Sequence, residues 1–491
     1  MNNNPPPNTT IQIALERFSK LLSPAQYAEL VQTLSEDLQP SLRINLLKQD
    51  AKEFSQQLRK RYGWQMQVIP FCPSGFTLRD GAENLGKTIE HALGEYYIQE
   101  SASMLPVEMF DLSPHSSPLI LDMAASPGGK TTHLVDRTAD CGLVIANDAS
   151  SGRMAALRVV LAKWGAINQA ATCLHGEFFG EHLPETFDAV LLDAPCSMQN
   201  LYDSPSHPLR EISAGEQQGL SNRQYLLLRS ALQTVKVGGQ VVYSTCTLSP
   251  EEDEQVVQRI MEDFGDQVAL DDLNSKLPQP APALLQDGEH AFLPEMKNAI
   301  RLWPHIYGTT GFFCARFTKQ DSLGLPASED PVRANSRFDR SHLLTSQQER
   351  EITNWMQGEY EFDLQTLMER QQAQLFEAEN SILLVPQRLF QECCHLPIAS
   401  LGLNAFKRIP KGYQISHDLA ARFGDQFHTG VPVLDEEQRT HYLAHRDIMS
   451  FAVPEDRVGH TLVVKDANGQ VLGRVKALKD RLKNLLPPRL Y

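Results

Sequence analysis

Only eight of the 491 residues are cysteine, and no two of them stand in a CxxC pair. The adjacent pair Cys393–Cys394 has the wrong spacing for a tetrahedral zinc site, so neither a structural metal nor a disulfide scaffold is expected. No run of about 18 uncharged apolar residues occurs, which argues against a transmembrane helix and a membrane partner. The opening MNNNPPPNTT has neither the basic nor the apolar region of a secretory leader, so a cytoplasmic chain is expected. Basic residues are outnumbered: 45 Lys and Arg face 60 Asp and Glu, a net charge of −15. That balance argues weakly against a nucleic-acid partner, although a local basic face can survive inside such a sum. Two glycine fingerprints are also missing. There is no GxGxxG, and a phosphate-binding Walker loop ending at Lys130 would need glycine where Ala124 stands.

What is present points to an α/β protein of several domains, given roughly 100–200 residues per domain. Residues 1–115 read as a mixed α+β domain, with helical spacing over Ala14–Leu34 and Ala51–Arg61 and strands in SLRINLLK, WQMQVIPF and GFTLR. From 116 to 322, apolar runs (LILDMAA, GLVIAND, FDAVLLDAP, GGQVVYSTC) alternate with helices at Lys130–Arg137, Ser151–Trp164, Asn222–Val235 and Pro250–Phe264. Near-continuous apolar strands separated by helices predict a Rossmann-like parallel sheet covered on both faces. AIRLWPHIYG and TGFFCARFTK predict a hairpin that closes it. DSLGLPASEDPVRANSRFDRSH reads as a linker opening an intermediate segment, 323–397. Residues 398–491 read as a small β-rich module with a turn at Asn468–Gly469.

Four motifs carry chemistry. LDMAASPGGKTTHL places a glycine turn between a strand and a helix, leaving backbone N–H groups free above the strand's carboxyl end. With the two familiar fingerprints absent, this suits an adenosyl-group pocket of the methyltransferase type. In IANDAS, Asp148 ends the next strand, where a carboxylate can hold ribose hydroxyls; a helix N-cap is the alternative. LLDAPCS brings Asp193 and Cys196 to one strand end, and YSTCTLSPEEDE brings Cys246 to another. Cys72, Cys141, Cys173 and Cys314 read as core residues. A thiol in such a crevice suits methylation of cytosine. Carbon 5 of that base is too weak a nucleophile until a thiolate adds to carbon 6, helped by an acid at N3, for which Asp193 is suited.

These residues resemble the RNA cytosine-5 methyltransferases of the NOL1/NOP2/Sun group, within it the bacterial enzymes acting on 16S ribosomal RNA. The likeness runs from LRINLLK through YGWQMQVIPFCPSGF, YYIQESASMLP, the four motifs and RLWPHIYGTTGFFCAR to GRVKALKDRLKN. The resemblance implies a class I methyltransferase core using S-adenosylmethionine, an N-terminal domain that contacts RNA and a C-terminal PUA-like RNA-binding module. It implies Cys246 (the TC cysteine) as nucleophile and Cys196 (the PC cysteine) for product release. Cofactor contacts would fall on Ala124, Ala125, Ser126, Pro127, Gly128, Gly129, Lys130, Asp148 and Asp193. His175 stands where the family has an acidic residue near the adenine, and is taken as a further contact. Met198 replaces a usual glycine, and DSPSHP, around Ser204 and Pro205, replaces a usual Lys-Asp-Pro stretch.

Two segments have a local basic excess. Arg43, Lys48, Lys52, Arg59, Lys60 and Arg61 face two acids between 43 and 61, and Arg474, Lys476, Lys479, Arg481, Lys483 and Arg489 face Asp480 alone. Both are candidate phosphate contacts. Tyr62, Trp64, Tyr96 and Tyr97 suit base stacking, but read better as core. The expected partner is 16S ribosomal RNA or the small subunit, met by a monomer. A transfer-RNA methyltransferase and a non-catalytic RNA-binding or assembly protein are the other readings.

Overall fold

The helix expected over Ala14–Leu34 is broken in two. Residues 15–18 are helical, and then Ser23 caps a new helix, α1 (Pro24–Thr33). The Gln26 N–H reaches the Ser23 hydroxyl at 3.3 Å, and the Gln26 side chain accepts from the Ser23 N–H at 3.1 Å. Pro24, which has no N–H to extend the earlier helix, fits the first turn of the new one. The computed structural model describes residues 15–80, 82–113, 115–203, 209–328, 342–410 and 412–487. Ser204, Pro205, Arg489 and most of the expected linker lie outside the described residues.

The N-terminal unit is a four-stranded antiparallel sheet, order β2-β3-β1-β4. It comprises β1 (Ser41–Ile44), β2 (Met66–Ile69), β3 (Cys72–Leu78) and β4 (Tyr96–Ile98). Helix α2 (Ala51–Tyr62), capped by Asp50 and stopped at the left-handed Gly63, buries Phe54 and Leu58 among Trp64, Phe76 and Tyr96.

The central sheet joins β5 (Leu119–Asp122), β6 (Leu143–Asn147), β7 (Gln169–Thr172), β8 (Phe187–Asp193), β9 (Val235–Thr245), β10 (Val268–Leu270), β11 (Ile300–Leu302) and β12 (Phe312–Lys319). Their order is β10-β12-β9-β8-β5-β6-β7, with β11 also on β12. The five strands β5 to β9 are parallel, whereas β12 runs antiparallel to β9 and forms the expected hairpin with β11. The helices α3 (Gly129–Arg137), α4 (Met154–Trp164), α5 (Ala214–Thr234) and α6 (Glu254–Phe264) accompany them. The chain winds from β5 outwards to β7 and then returns to lay β8 on the other side of β5. Open α/β sheets bind ligands at such a reversal, beyond the carboxyl ends of the strands.

Beyond the core, β13 (Ala373–Ala378), β14 (Ser381–Pro386), β16 (Leu403–Ile409) and β17 (Gly412–Ile415) form one antiparallel sheet, while β15 (Ile398–Leu401) leaves it to pair with β7. Hydrogen-bonded pairing therefore crosses the division expected between 397 and 398: β15 closes the far edge of the central sheet, and β16 belongs with β13 and β14. After α7 (His417–Phe423), the β-rich end is a five-stranded sheet of β18 (Val433–Leu434), β19 (Ile448–Met449), β20 (Thr461–Asp466), β21 (Val471–Ala477) and β22 (Arg481–Asn484).

Two contacts hold these units around the core. Arg43 of β1 is fully buried. Its guanidinium pairs with Asp136 and donates to Gly129 O at 3.0 Å, Thr132 Oγ1 at 2.6 Å and Gln99 Oε1 at 3.2 Å, with its carbon 4.6 Å from the Trp164 ring centroid. The carboxyl end of α4 is the second. Asn45 donates to Trp164 O at 2.9 Å, Lys48 Nζ donates to Lys163 O at 2.8 Å, and Arg422 of α7 packs on Gly165 while bonding Leu47 O. Arg422 and the Lys48 amine, whose pKa burial lowers to about 7, thus sit where the helix dipole is negative.

Removing one partner from a fully buried ion pair strands the other. Arg43→Ala is expected to cost about 3–5 kcal/mol in urea unfolding. Arg43→Lys should recover only part of this, because an ammonium cannot reproduce the fork of bonds.

Candidate active site

The glycine turn stands at the reversal. β5 ends at Asp122, and α3 begins at Gly129 without a side-chain cap on its first N–H groups. Gly128 has φ +115°, and a Cβ there would lie 3.0 Å from Val160 Cγ1; at Gly129 it would lie 2.9 Å from Tyr97 Cε1. Glycine is therefore required at both positions, for backbone conformation at the first and for space at the second. The turn is stitched to the end of β6 by Ala125 N–H on Asn147 O at 2.7 Å and Ser126 N–H on Asp148 Oδ2 at 3.3 Å. Asp148 also accepts from Ser150 N–H at 2.8 Å and faces Arg153 at 3.4 Å. It is not the N-cap of α4, a position held by Arg153. A carboxylate beside uncapped helix N–H groups is a donor and acceptor set that fits an adenosyl ligand. His175, by contrast, is exposed on the loop after β7.

β8 and β9 bring the chemistry together through their register. Asp193 lies opposite Ser244 in the parallel ladder, so the loops that follow place Cys196 and Cys246 side by side. Their Sγ atoms are 3.1 Å apart, and both residues are half-buried. Asp193 accepts Lys130 Nζ at 2.8 Å on one oxygen and Ser244 Oγ at 2.8 Å on the other. Lys130, the second residue of α3, thus joins the glycine turn to the thiol crevice. Burial acts against the Lys130 ammonium, but the charges of Asp193, Cys246 and Asp122 more than offset it and hold its pKa above the lysine range. The Cys196 thiol is pushed well up, first by its hydrogen bond to Cys246, then by burial and by the Cys246 and Glu252 charges.

Motif reading missed Ser244, Glu252 and Gln224, which surround this pair. Ser244 had a signal in its place just before the TC dipeptide; Gln224, on α5, had none. Met198, at the position of the usual glycine, has φ +57° and is exposed, so the left-handed backbone explains the glycine preference. Cys72 and Cys314 are buried, whereas Cys141 and Cys173 are only half-buried. Cys72 Sγ, Glu108 and His133 bring donor atoms within 4.8 Å of one another. Arg137 holds the second Glu108 oxygen at 2.6 Å, which makes an ion-paired cluster beneath α3.

The basic segments divide on inspection. Arg43 and Lys48 are spent on the contacts described above, and Arg474 donates to Ile415 O. Lys52, Arg59, Lys60, Lys476, Lys479 and Lys483 are exposed. Arg61 is tied to Glu90 and Asp466, and Arg481 to Asp447. Trp64 and Tyr96 are core residues, with Tyr62 stacked on Trp64 at 4.8 Å.

Two outcomes are expected here. Met198→Gly relieves the left-handed strain and should raise stability by roughly 0.5–1 kcal/mol in urea unfolding, while Met198→Val should lower it. Burial pushes Asp122 up from 3.8 to about 7; the Thr131 hydroxyl opposes this and the Asp193 charge adds to it. A carboxyl raised by folding stabilises the fold at low pH and loses that contribution as pH rises through 7. Between pH 5 and 8, wild-type stability should therefore fall by about 2 kcal/mol relative to Asp122→Asn, and parallel curves would refute this.

The family described as 16S rRNA methyltransferase RsmB/F matches residues 109–318, and the N-terminal domain of 16S rRNA methyltransferase RsmF matches residues 14–101. A ribosomal RNA small subunit methyltransferase F from Aeromonas salmonicida is 34% identical over 466 residues, covering 94% of this chain and 93% of that one. Its counterpart from Vibrio cholerae is 31% identical over 479 residues, covering 96% of each. Among solved structures, a methyltransferase homologue from Pyrococcus horikoshii is 30% identical with a TM-score of 0.54, covering 63% of this chain and 99% of that one. NSun6 from Pyrococcus horikoshii, at 20% identity and a TM-score of 0.51, shares the fold and covers 62% of this chain and 97% of its own. With its glycine turn, paired thiols and relatives matched from end to end, the chain belongs to the RsmB/F family of 16S rRNA methyltransferases.

Proposed function

We propose that this protein is an S-adenosylmethionine-dependent methyltransferase that forms 5-methylcytosine in 16S ribosomal RNA through a covalent bond between Cys246 and the base. The observation that carries the reading is the 3.1 Å approach of Cys196 and Cys246 at the carboxyl ends of neighbouring parallel strands, beside the glycine turn. The names of its relatives support ribosomal RNA as substrate over transfer RNA. Ala124–Lys130, Asp148 and Asp193 would hold the cofactor, with His175 at the rim; bound there, it supplies an electrophilic methyl group.

The side chains do the rest. Cys246, as thiolate, adds to carbon 6 of a cytosine turned into the crevice, and the ring's electron density moves to carbon 5. Asp193 bonds the N3 edge, passes to N3 a proton taken from the Lys130 ammonium bonded to it, and takes that proton back when the methylated base leaves. Once carbon 5 carries the methyl group, its proton passes to Cys196 or to a water bonded to it. The C5–C6 double bond re-forms, and Cys246 leaves as thiolate. No step needs a metal. Lys52, Arg59 and Lys60 on the N-terminal unit, and Lys476, Lys479 and Lys483 on a PUA-like C-terminal sheet, contact RNA phosphates, with the enzyme acting as a cytoplasmic monomer.

With labelled S-adenosylmethionine and RNA from cells lacking the protein, Cys246→Ala should reduce methyl incorporation by roughly 10³-fold or more. Cys196→Ala should trap a protein–RNA adduct that survives denaturing electrophoresis. Methylation by Cys246→Ala, or label entering transfer RNA alone, would overturn the assignment.

A further inference from the structure

Beneath the Cys196 loop lies a buried carboxylate that the proposed chemistry does not use. Glu252 is fully buried and accepts from the Ser197 N–H at 2.9 Å, from the Ser197 hydroxyl, and from Gln224 Nε2 at 2.9 Å. The same Gln224 amide donates to Pro195 O at 2.9 Å. Pro195 and Ser197 flank Cys196, so both peptide groups around the thiol are held by one buried pair. Glu252 is itself fixed through its carbonyl, which accepts the Tyr243 hydroxyl at 2.5 Å. The Ser197 hydroxyl also lies 3.2 Å from that of Thr247, the neighbour of Cys246. The clamp therefore joins both cysteine loops. A buried carboxylate is a costly way to fill space, and an apolar side chain would pack there more cheaply. The donors it gathers are those that aim one sulfur.

We infer that Glu252 and Gln224 are positioning residues that set Cys196 against Cys246 and so govern release of the methylated base rather than attack on it. This rests on the function proposed above. Cys246 follows directly on Thr245, the last residue of β9, and the clamp reaches its loop only through the 3.2 Å contact of Ser197 with Thr247. Cys196 sits on an irregular loop whose backbone polar groups are satisfied by Gln224 and Glu252. Loosening the clamp leaves addition and methyl transfer intact. It slows the loss of the C5 proton, and with it the breaking of the Cys246–C6 bond.

The test compares Glu252→Gln, Gln224→Leu and Ser197→Ala with wild type, using 16S rRNA, free and in small subunits, and labelled S-adenosylmethionine. In Glu252→Gln and Gln224→Leu, single-turnover methyl transfer should stay within about threefold of wild type, while steady-state turnover falls at least about tenfold and a denaturation-resistant adduct accumulates. Ser197→Ala, which removes one bond, should show the same pattern more weakly. Equal loss of transfer and turnover, or no adduct, would overturn the inference. If Glu252→Gln shows no cooperative thermal unfolding, the other two variants decide by the same criteria. A second readout needs no RNA: the pH profile of Cys196 alkylation by iodoacetamide, followed by mass spectrometry of its peptide in a Cys246→Ala background. Glu252→Gln should move that profile to lower pH, and an unmoved profile would refute the clamp. Should wild type methylate neither RNA, the proposed function fails, and alkylation still decides whether Glu252 controls Cys196.

Discussion

The buried guanidinium of Arg43 is the contact on which the rest of the arrangement depends. It leaves the N-terminal sheet, crosses into the core and binds the helix that starts at the glycine turn, taking Asp136, Thr132 and the Gly129 carbonyl together. Burial pushes the Asp136 carboxyl up to about 7, opposed by Arg43, by the Trp164 N–H and by Arg422. A pair this deep is weak evidence of net stability, because desolvation consumes much of the attraction. Its geometry nonetheless allows one docking of the two units, and the docked Tyr97 ring then presses on Gly129. The glycine turn is thus shaped partly from outside its own domain.

The same economy governs charge. Of the two basic segments, the residues nearest the domain junctions are consumed by structure, and the rest stay on exposed faces. Lys48 and Arg422 meet the negative end of α4, where water would otherwise solvate them, and three units of the chain converge there. An overall charge of −15 is therefore compatible with RNA contact, since exposed lysines and arginines on the outer units need only local dominance.

Within the crevice, strand register does what no single residue does. Parallel pairing of Asp193 with Ser244 sets both cysteine loops at one height, and Lys130 reaches across from the neighbouring strand end to the shared carboxylate. The result is a line of polar groups running from the glycine turn to the sulfurs. Glu252, within YSTCTLSPEEDE, and Gln224, on α5 outside the four motifs, complete it from below.

The parallel core and the strand-end placement of Asp148, Asp193, Cys196 and Cys246 were legible in the amino-acid order, because unbroken apolar runs between helices admit few other solutions, whereas the helix expected from Asn222 begins at Ala214 and the helix Glu177–His182 was not expected. Less was legible where local signal is weak. Gln169–Thr172 is a fully buried strand of low β-propensity, made a strand by its neighbours rather than by its residues. Ile398–Leu401 looked like the start of a separate module, yet completes the central sheet, since an edge strand needs a partner and sequence does not say which. Arg43, Lys48 and Arg474 looked like RNA contacts, because a basic residue reads alike whether it faces water or a buried carboxylate. Residue type and spacing determined the chemistry available to this chain. Which charges face solvent, and which two sulfurs lie 3.1 Å apart, was decided only by tertiary packing, because burial and partners at bonding distance are properties of the folded chain and not of its order.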